Sequence, residues 1–233
     1  MRFCTLAARL FFLLSLLTVS TGAHAAKEEF FGWYSLTMAG DLELLSPELR
    51  KVRWIVMNQS RLGSDSSTLR ENLLFAQLGY QTTEHISLWL GYTHDWITPQ
   101  VGQSFDENRI YQEFRWDSDT VAGTFTARTR FEQRFRDPGG TVGGRFRQFF
   151  QLSWPVPGLD RLRLVGSDEI FVYLNDSSWG RSGFSENRLY AGVNMRVNDM
   201  ISADIGYLNQ FVSKGNRNDI DNHILFANIN LHF

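Results

Sequence analysis

The chain closes on a strict alternation: Leu225, Ala227, Ile229, Leu231 and the terminal Phe233 fall on one face, and Asn222, Asn228, Asn230 and His232 on the other. Spacing of period two marks a strand with one apolar face. Similar segments recur upstream, and the pattern predicts ten strands at about 49–60, 70–80, 86–96, 107–116, 124–136, 145–154, 161–174, 187–197, 200–212 and 222–233. Their length suits tilted membrane-crossing strands. Short links at 82–84, 117–123, 155–160 and 198–199 alternate with longer polar links at 62–68, 97–106, 137–144, 175–186 and 213–221. With Phe233 at the periplasmic rim, every short link lies in the periplasm and every long one outside.

Four of the strands that descend to that rim finish on an outward aromatic: Tyr80, Trp116, Trp154 and Phe233. Amphipathic rings are favoured at headgroup depth, so this row reads as an interfacial girdle. Tyr92, Phe131, Phe135, Tyr207 and Phe211 would form the second belt. The opposite face is heavily charged, with Arg109, Glu113 and Arg115 in one strand and Arg128, Arg130, Glu132, Arg134 and Arg136 in the next. Arg145, Arg147, Arg163, Glu169, Glu186, Arg188 and Arg196 follow on later strands. A soluble sandwich cannot bury this face, because unpaired buried charge is costly. A membrane barrel can, with lipid against the apolar side and arginines filling the lumen.

Cross-strand charge pairing suggests a register for strands 107–116 and 124–136. If opposed residue numbers sum to 241, Glu107 faces Arg134, Arg109 faces Glu132 and Glu113 faces Arg128. In the next hairpin a turn around 138–144 would bring Arg136 near Arg145 and Arg134 near Arg147, so an anion must compensate. Glu107 and Glu169 are the candidates within the chain. A lipopolysaccharide phosphate or a luminal anion is the candidate outside it.

The opening residues place Arg2 and Arg9 around an apolar run at 10–17, followed by Ala23-His24-Ala25. The run is far shorter than the roughly 20 residues of a membrane-spanning helix and reads as a secretory signal cut before Ala26. Cys4 lies inside it, so the remaining chain has no cysteine and no thiol chemistry. Removing two arginines leaves 21 basic against 25 acidic residues, a formal charge of 21 − 25 = −4, which gives no footprint for nucleic acid. Residues 26–48 read as a lead-in or extra strand and 49–233 as the barrel. The segment 30–37 also alternates; single-chain bacterial barrels have even strand numbers, so ten is expected, with twelve as the alternative if 42–45 pairs with it. Gln112 and Asp168 break the apolar face, and Gly166-Ser167-Asp168 reads as a bulge that turns Asp168 inward.

Trp33, Leu90-Gly91-Tyr92, Glu107-Asn108-Arg109, the arginine ladder from Arg128 to Arg136, Asn187-Arg188, Gly206-Tyr207-Leu208 and the final Phe233 carry a resemblance. On these the chain resembles an uncharacterised family of Gram-negative outer-membrane proteins, domain of unknown function 2490. The resemblance implies an outer-membrane barrel and brings no catalytic residue or cofactor.

No nucleotide loop, metal cluster or nucleophile elbow is legible. Gly139 to Gly144 lacks the Lys-Ser/Thr ending of a phosphate loop, and His85, His94, His223 and His232 have no metal spacing. His85 and Ser87 share a strand face and make one candidate for serine activation, although on the periplasmic side. The expectation is an antiparallel up-and-down transmembrane β-barrel with an ion-paired lumen, no cofactor, and a structural or lipopolysaccharide-interacting role. Its partners would be outer-membrane lipids and, through the strand ending at Phe233, the barrel-assembly machinery. A narrow anion-preferring pore and an outer-membrane lipid-modifying hydrolase are the alternatives, and the oligomeric state is left open.

Overall fold

The computed structural model describes residues 27–63, 68–215 and 219–233; the signal segment lies outside them. Eleven strands close into one barrel: β1 (Lys27–Asp41), β2 (Val52–Leu62), β3 (Leu69–Gln81), β4 (Ile86–Ile97), β5 (Phe105–Thr120), β6 (Gly123–Asp137), β7 (Gly143–Val156), β8 (Leu159–Tyr173), β9 (Gly183–Arg196), β10 (Ile201–Val212) and β11 (Ile220–His232). Each strand pairs antiparallel with its neighbour in sequence, and β1 closes the ring against β11 in parallel.

The strand number corrects the expectation of ten or twelve. The barrel begins at Lys27, so part of the segment read as a lead-in or extra strands is wall. An even number lets the first and last strands pair antiparallel, whereas an odd meander leaves them running the same way. Here a parallel ladder from Lys27↔Ile220 to Ala39↔His232 does the closing. The 42–45 stretch does not supply a twelfth strand: Leu44 and Leu45 are exposed and Leu45 N donates to Leu42 O, a turn that leads into the short 3-10 segment Pro47–Leu49.

One rim carries the short links at 82–85, 121–122, 157–158 and 197–200 together with the ten-residue link 42–51 and Phe233. The other carries the long links and the start of β1. The β5–β6 turn is tight because Gly123 sits at φ +126, and a Cβ there would meet the Ser153 carbonyl oxygen at 2.2 Å. This turn closes on Thr120↔Gly123 and fixes a register whose residue numbers sum to 243, not 241. Arg109 therefore faces Arg134, and Glu113 faces Arg130. A slip of two residues leaves every side chain on its own face. Long guanidinium side chains bridge diagonals as readily as direct opposites, so charge pairing could not discriminate between the two registers. In the next hairpin Glu132, not Arg136, faces Arg145, and Arg130 faces Arg147.

The outward face is apolar: Leu78, Leu88, Leu90, Ile205, Leu225 and Ile229 are all at least half exposed. The expected bulge at 166–168 is absent; pairing runs regularly from Arg163 to Phe171 and Asp168 points outward, accepting from Asn187 Nδ2 at 2.5 Å. The interior is filled by side chains. Around β1, β10 and β11 it holds a small apolar cluster of Trp33, Leu208 and Ile224. At β4 the Tyr111 ring lies on Gly91, where a Cβ would come within 2.1 Å of it, so glycine makes room for the aromatic. Around β5 to β9 the filling is charged.

Candidate functional site

Inward positions of five consecutive strands assemble the charged cluster. β5 supplies Glu107, Arg109 and Glu113, β6 supplies Arg128, Arg130, Glu132 and Arg134, β7 supplies Arg145 and Arg147, β8 supplies Glu169, and β9 supplies Glu186 and Arg188. The period of two makes this arrangement: every second residue of each strand points into the same narrow space.

Glu107, wholly buried, takes both oxygens' worth of donors from Arg109, with Nε and Nη2 each at 2.7 Å, and is gripped from the facing strand by Arg134. Arg109 extends the chain to Asp95, whose Oδ2 lies 2.6 Å from Nη2. Glu113 receives Arg130 Nε at 2.7 Å and Nη2 at 2.6 Å, with Arg128 Nε 3.8 Å away. Glu132 binds Arg145 through Nε at 2.6 Å and Arg147 through Nη1 at 2.7 Å, with Arg130 Nη1 at 3.6 Å. Glu169 holds Arg147 through two bonds of 2.9 Å and Arg128 Nη2 at 2.7 Å. Glu107, Glu113, Glu132 and Glu169 thus each bridge at least two guanidinium groups. Bidentate, charge-assisted pairing of this kind is what makes buried charge tolerable.

Aromatic rings separate the layers of the network. Arg130 stacks on Tyr111 with its guanidinium carbon 3.9 Å from the ring centre, Arg147 on Phe171 at 4.5 Å, and Arg134 on Trp179 at 3.9 Å. Arg61 covers Trp33 at 3.9 Å and Arg188 approaches the same ring at 4.9 Å, which joins the charged region to the apolar cluster. Stacking suits guanidinium because its faces are weakly hydrated.

Of the residues singled out from sequence, Arg109, Glu113, Arg128, Arg130, Glu132, Arg134, Arg145, Arg147 and Glu169 meet in this one cluster, and Arg188 lies at its edge, held by Glu186 at 2.5 Å. Arg115 does not join it; it pairs with Asp117 at 2.8 Å near the short-link rim, about a third exposed. Asp95 was missed, although its place on the inward face of a regular strand is a readable signal. Trp179 was also missed: it comes from the 174–182 link, where no periodicity points at the lumen.

Tyr80, Trp116, Trp154 and Phe233 all project outward near the short-link rim. Phe233 stacks on Trp54 with ring centres 5.9 Å apart, and Trp116 meets Phe125 edge-on at 5.6 Å. His85 and Ser87 do not form a catalytic pair. His85 stands in the turn with Nδ1 3.0 Å from the Asp117 carbonyl oxygen, while Ser87 points into the barrel and accepts the Trp89 indole N–H at 2.8 Å. Among the described residues no group of three or more His, Cys, Asp or Glu is placed to hold a metal ion.

A family model described as protein of unknown function (DUF2490) matches residues 30–221. An uncharacterised protein of Methylorubrum extorquens is 30% identical over 224 residues, which span 93% of this chain and 95% of that one. No solved structure matches the chain at a significant level.

Proposed function

Since the chain belongs to the DUF2490 family of proteins of unknown function, we propose that it is an outer-membrane β-barrel exported by a cleaved signal peptide. In this reading it serves as a non-conducting, non-enzymatic wall protein that works through contact with outer-membrane lipid and lipopolysaccharide. The supporting observation is the inversion of the usual soluble pattern. Leu90 and Ile205 are 60% and 54% exposed on the outside, while Glu107 and Glu132 are 0% and 1% exposed within. Such a surface is stable against hydrocarbon and aggregation-prone in water. The strand ending at Phe233 would be the segment presented to the barrel-assembly machinery.

The anion-pore alternative needs guanidinium groups free to meet a passing ion. Arg109, Arg130, Arg134, Arg145 and Arg147 instead each hold a carboxylate of the same chain. Three measurements test the proposal together. Expected are recovery in the outer-membrane fraction, a heat-dependent shift in gel migration, and a flat trace in planar bilayers. Recovery as a soluble periplasmic protein would sink the membrane reading, and anion-selective steps would sink the plugged lumen.

A further inference from the structure

The outward residues that break the apolar pattern gather toward the long-link rim. β2 and β3 share Asn58 Nδ2→Asn72 Oδ1 at 2.9 Å, and β4 and β5 share His94 Nδ1 and Asn108 Oδ1 at 2.9 Å. Gln112 and Gln133 exchange two amide bonds of 3.3 and 3.2 Å, and Thr129 donates to Gln148 at 2.7 Å. Further pairs are Asn187 to Asp168 and Asn209 to Asp221, each at 2.5 Å. Every strand from β2 to β11 carries an outward polar residue three to five positions from its long-link end, as Asn72 does in a strand starting at Leu69 and Asp168 in one ending at Tyr173; on β11 it is His223.

Between this collar and the aromatic girdle no charged, amide or aliphatic hydroxyl side chain points outward among the described residues, except Gln112 and Thr129, which are collar partners. From Leu225 to Phe233 the apolar stretch runs roughly 25 Å and, at a tilt of about 40°, rises roughly 20 Å. That is close to the ~25 Å band of membrane barrels, so the collar stands where acyl chains end.

We infer that the collar is a hydrogen-bonding surface for the sugar hydroxyls and acyl amides of a glycolipid leaflet on the long-link side. The inference rests on the outer-membrane reading above. Two observations choose the partner. The collar runs around ten of the eleven strands, all but β1, so its partner has the symmetry of the membrane plane, whereas a second subunit would cover one arc. Its groups are amides, hydroxyls, imidazoles and two carboxylates without a lysine or arginine, which fits neutral hydrogen-bonding groups better than phosphate. Each group already bonds its cross-strand neighbour, so the wall tolerates a half-dry interface and still offers spare lone pairs and amide hydrogens to the headgroups.

The test uses the full barrel in two vesicle types, phosphatidylcholine alone and phosphatidylcholine with lipopolysaccharide, and follows the rate of heat-induced unfolding. Expected is unfolding about tenfold slower with lipopolysaccharide, the scale of one or two net hydrogen bonds. Asn58→Leu/Asn72→Leu/Gln133→Leu should lose that difference while inserting normally in phosphatidylcholine. A difference that survives the triple variant overturns the inference. Single cysteines at Ile205, Asn209 and Phe211 provide a second reading that does not depend on the triple variant folding. A fluorophore should be quenched by chain-brominated lipid at 205, weakly at 209 and not at 211. Loss of quenching at 205 as well as at 209, together with a dimer in cross-linking, would assign the collar to a subunit interface instead, and deep quenching at 209 would place it among the acyl chains; either overturns the inference. Failure to enter vesicles at all would defeat the membrane reading itself, a result distinct from either.

Discussion

The two halves of the barrel interior solve the same packing problem with opposite chemistry. On the β5–β9 side the space is filled by guanidinium and carboxylate groups in dense pairing; on the β1–β3 and β10–β11 side Trp33, Leu73, Leu208 and Ile224 bury apolar surface beside the Arg61–Glu71 pair and amide contacts such as Asn230 to Asp204. Both fillings bury their side chains, but they fail differently. An apolar side chain can be trimmed at the cost of a cavity, whereas a network loses its balance when one member goes, because the partners left behind are charged and buried. The charged half should therefore be the stiffer and less forgiving of the two.

Substitutions can sharpen or break this contrast. The largest loss is expected for Glu132→Ala, which strands Arg145, leaves Arg147 to Glu169 alone and loosens Arg130; about 3–5 kcal/mol should disappear from the unfolding free energy measured by urea titration in detergent micelles. Leu73→Ala, on the apolar side and fully buried, should cost about 2–4 kcal/mol in the same titration. If the two substitutions cost the same with identical salt response, the distinction between the halves fails. Asp117→Asn removes a partner from an ion pair about a third exposed, so it should cost less than about 1 kcal/mol and vanish at high salt.

The smallest effect lies in the 174–182 link. Asp176 is fully exposed and accepts the Ser182 backbone N–H at 2.7 Å, which holds its carboxyl below the usual range. Its contribution is thus present above the ordinary carboxylate pKa and lost as pH falls through the lowered folded value. Trp179, carried by the same link onto Arg134, should report this. The emission difference between wild type and Trp179→Phe should stay constant from neutrality down to about pH 4 and change only below it.

The parts legible in sequence were those set by alternation. Arg128, Arg130, Glu132 and Arg134 could be placed inward, and Leu225 to Phe233 outward, from period two alone. Features decided between strands were not legible. The parallel seam needs a partner for β1 that nothing in Phe30 to Thr37 specifies. The β5–β6 register hinges on the turn closed by Gly123, not on the charges, since a two-residue slip preserves both faces. Gln112 and Asp168 looked like isolated defects, because a polar residue on an apolar face finds its meaning only beside the Gln133 or Asn187 of the next strand. The same holds for Trp179, whose position on Arg134 is a property of the folded link.

The proposed membrane setting puts hydrocarbon against the Leu/Ile/Phe side of the wall. Photolabelling from a carbene-generating acyl chain in reconstituted vesicles, read by peptide mass mapping, tests it most directly. Expected are adducts at Leu78, Leu90, Ile205, Leu225 and Ile229 and none at Arg130, Glu132 or Arg147. Adducts confined to the arginine positions, or no labelling of the outward leucines, would contradict it.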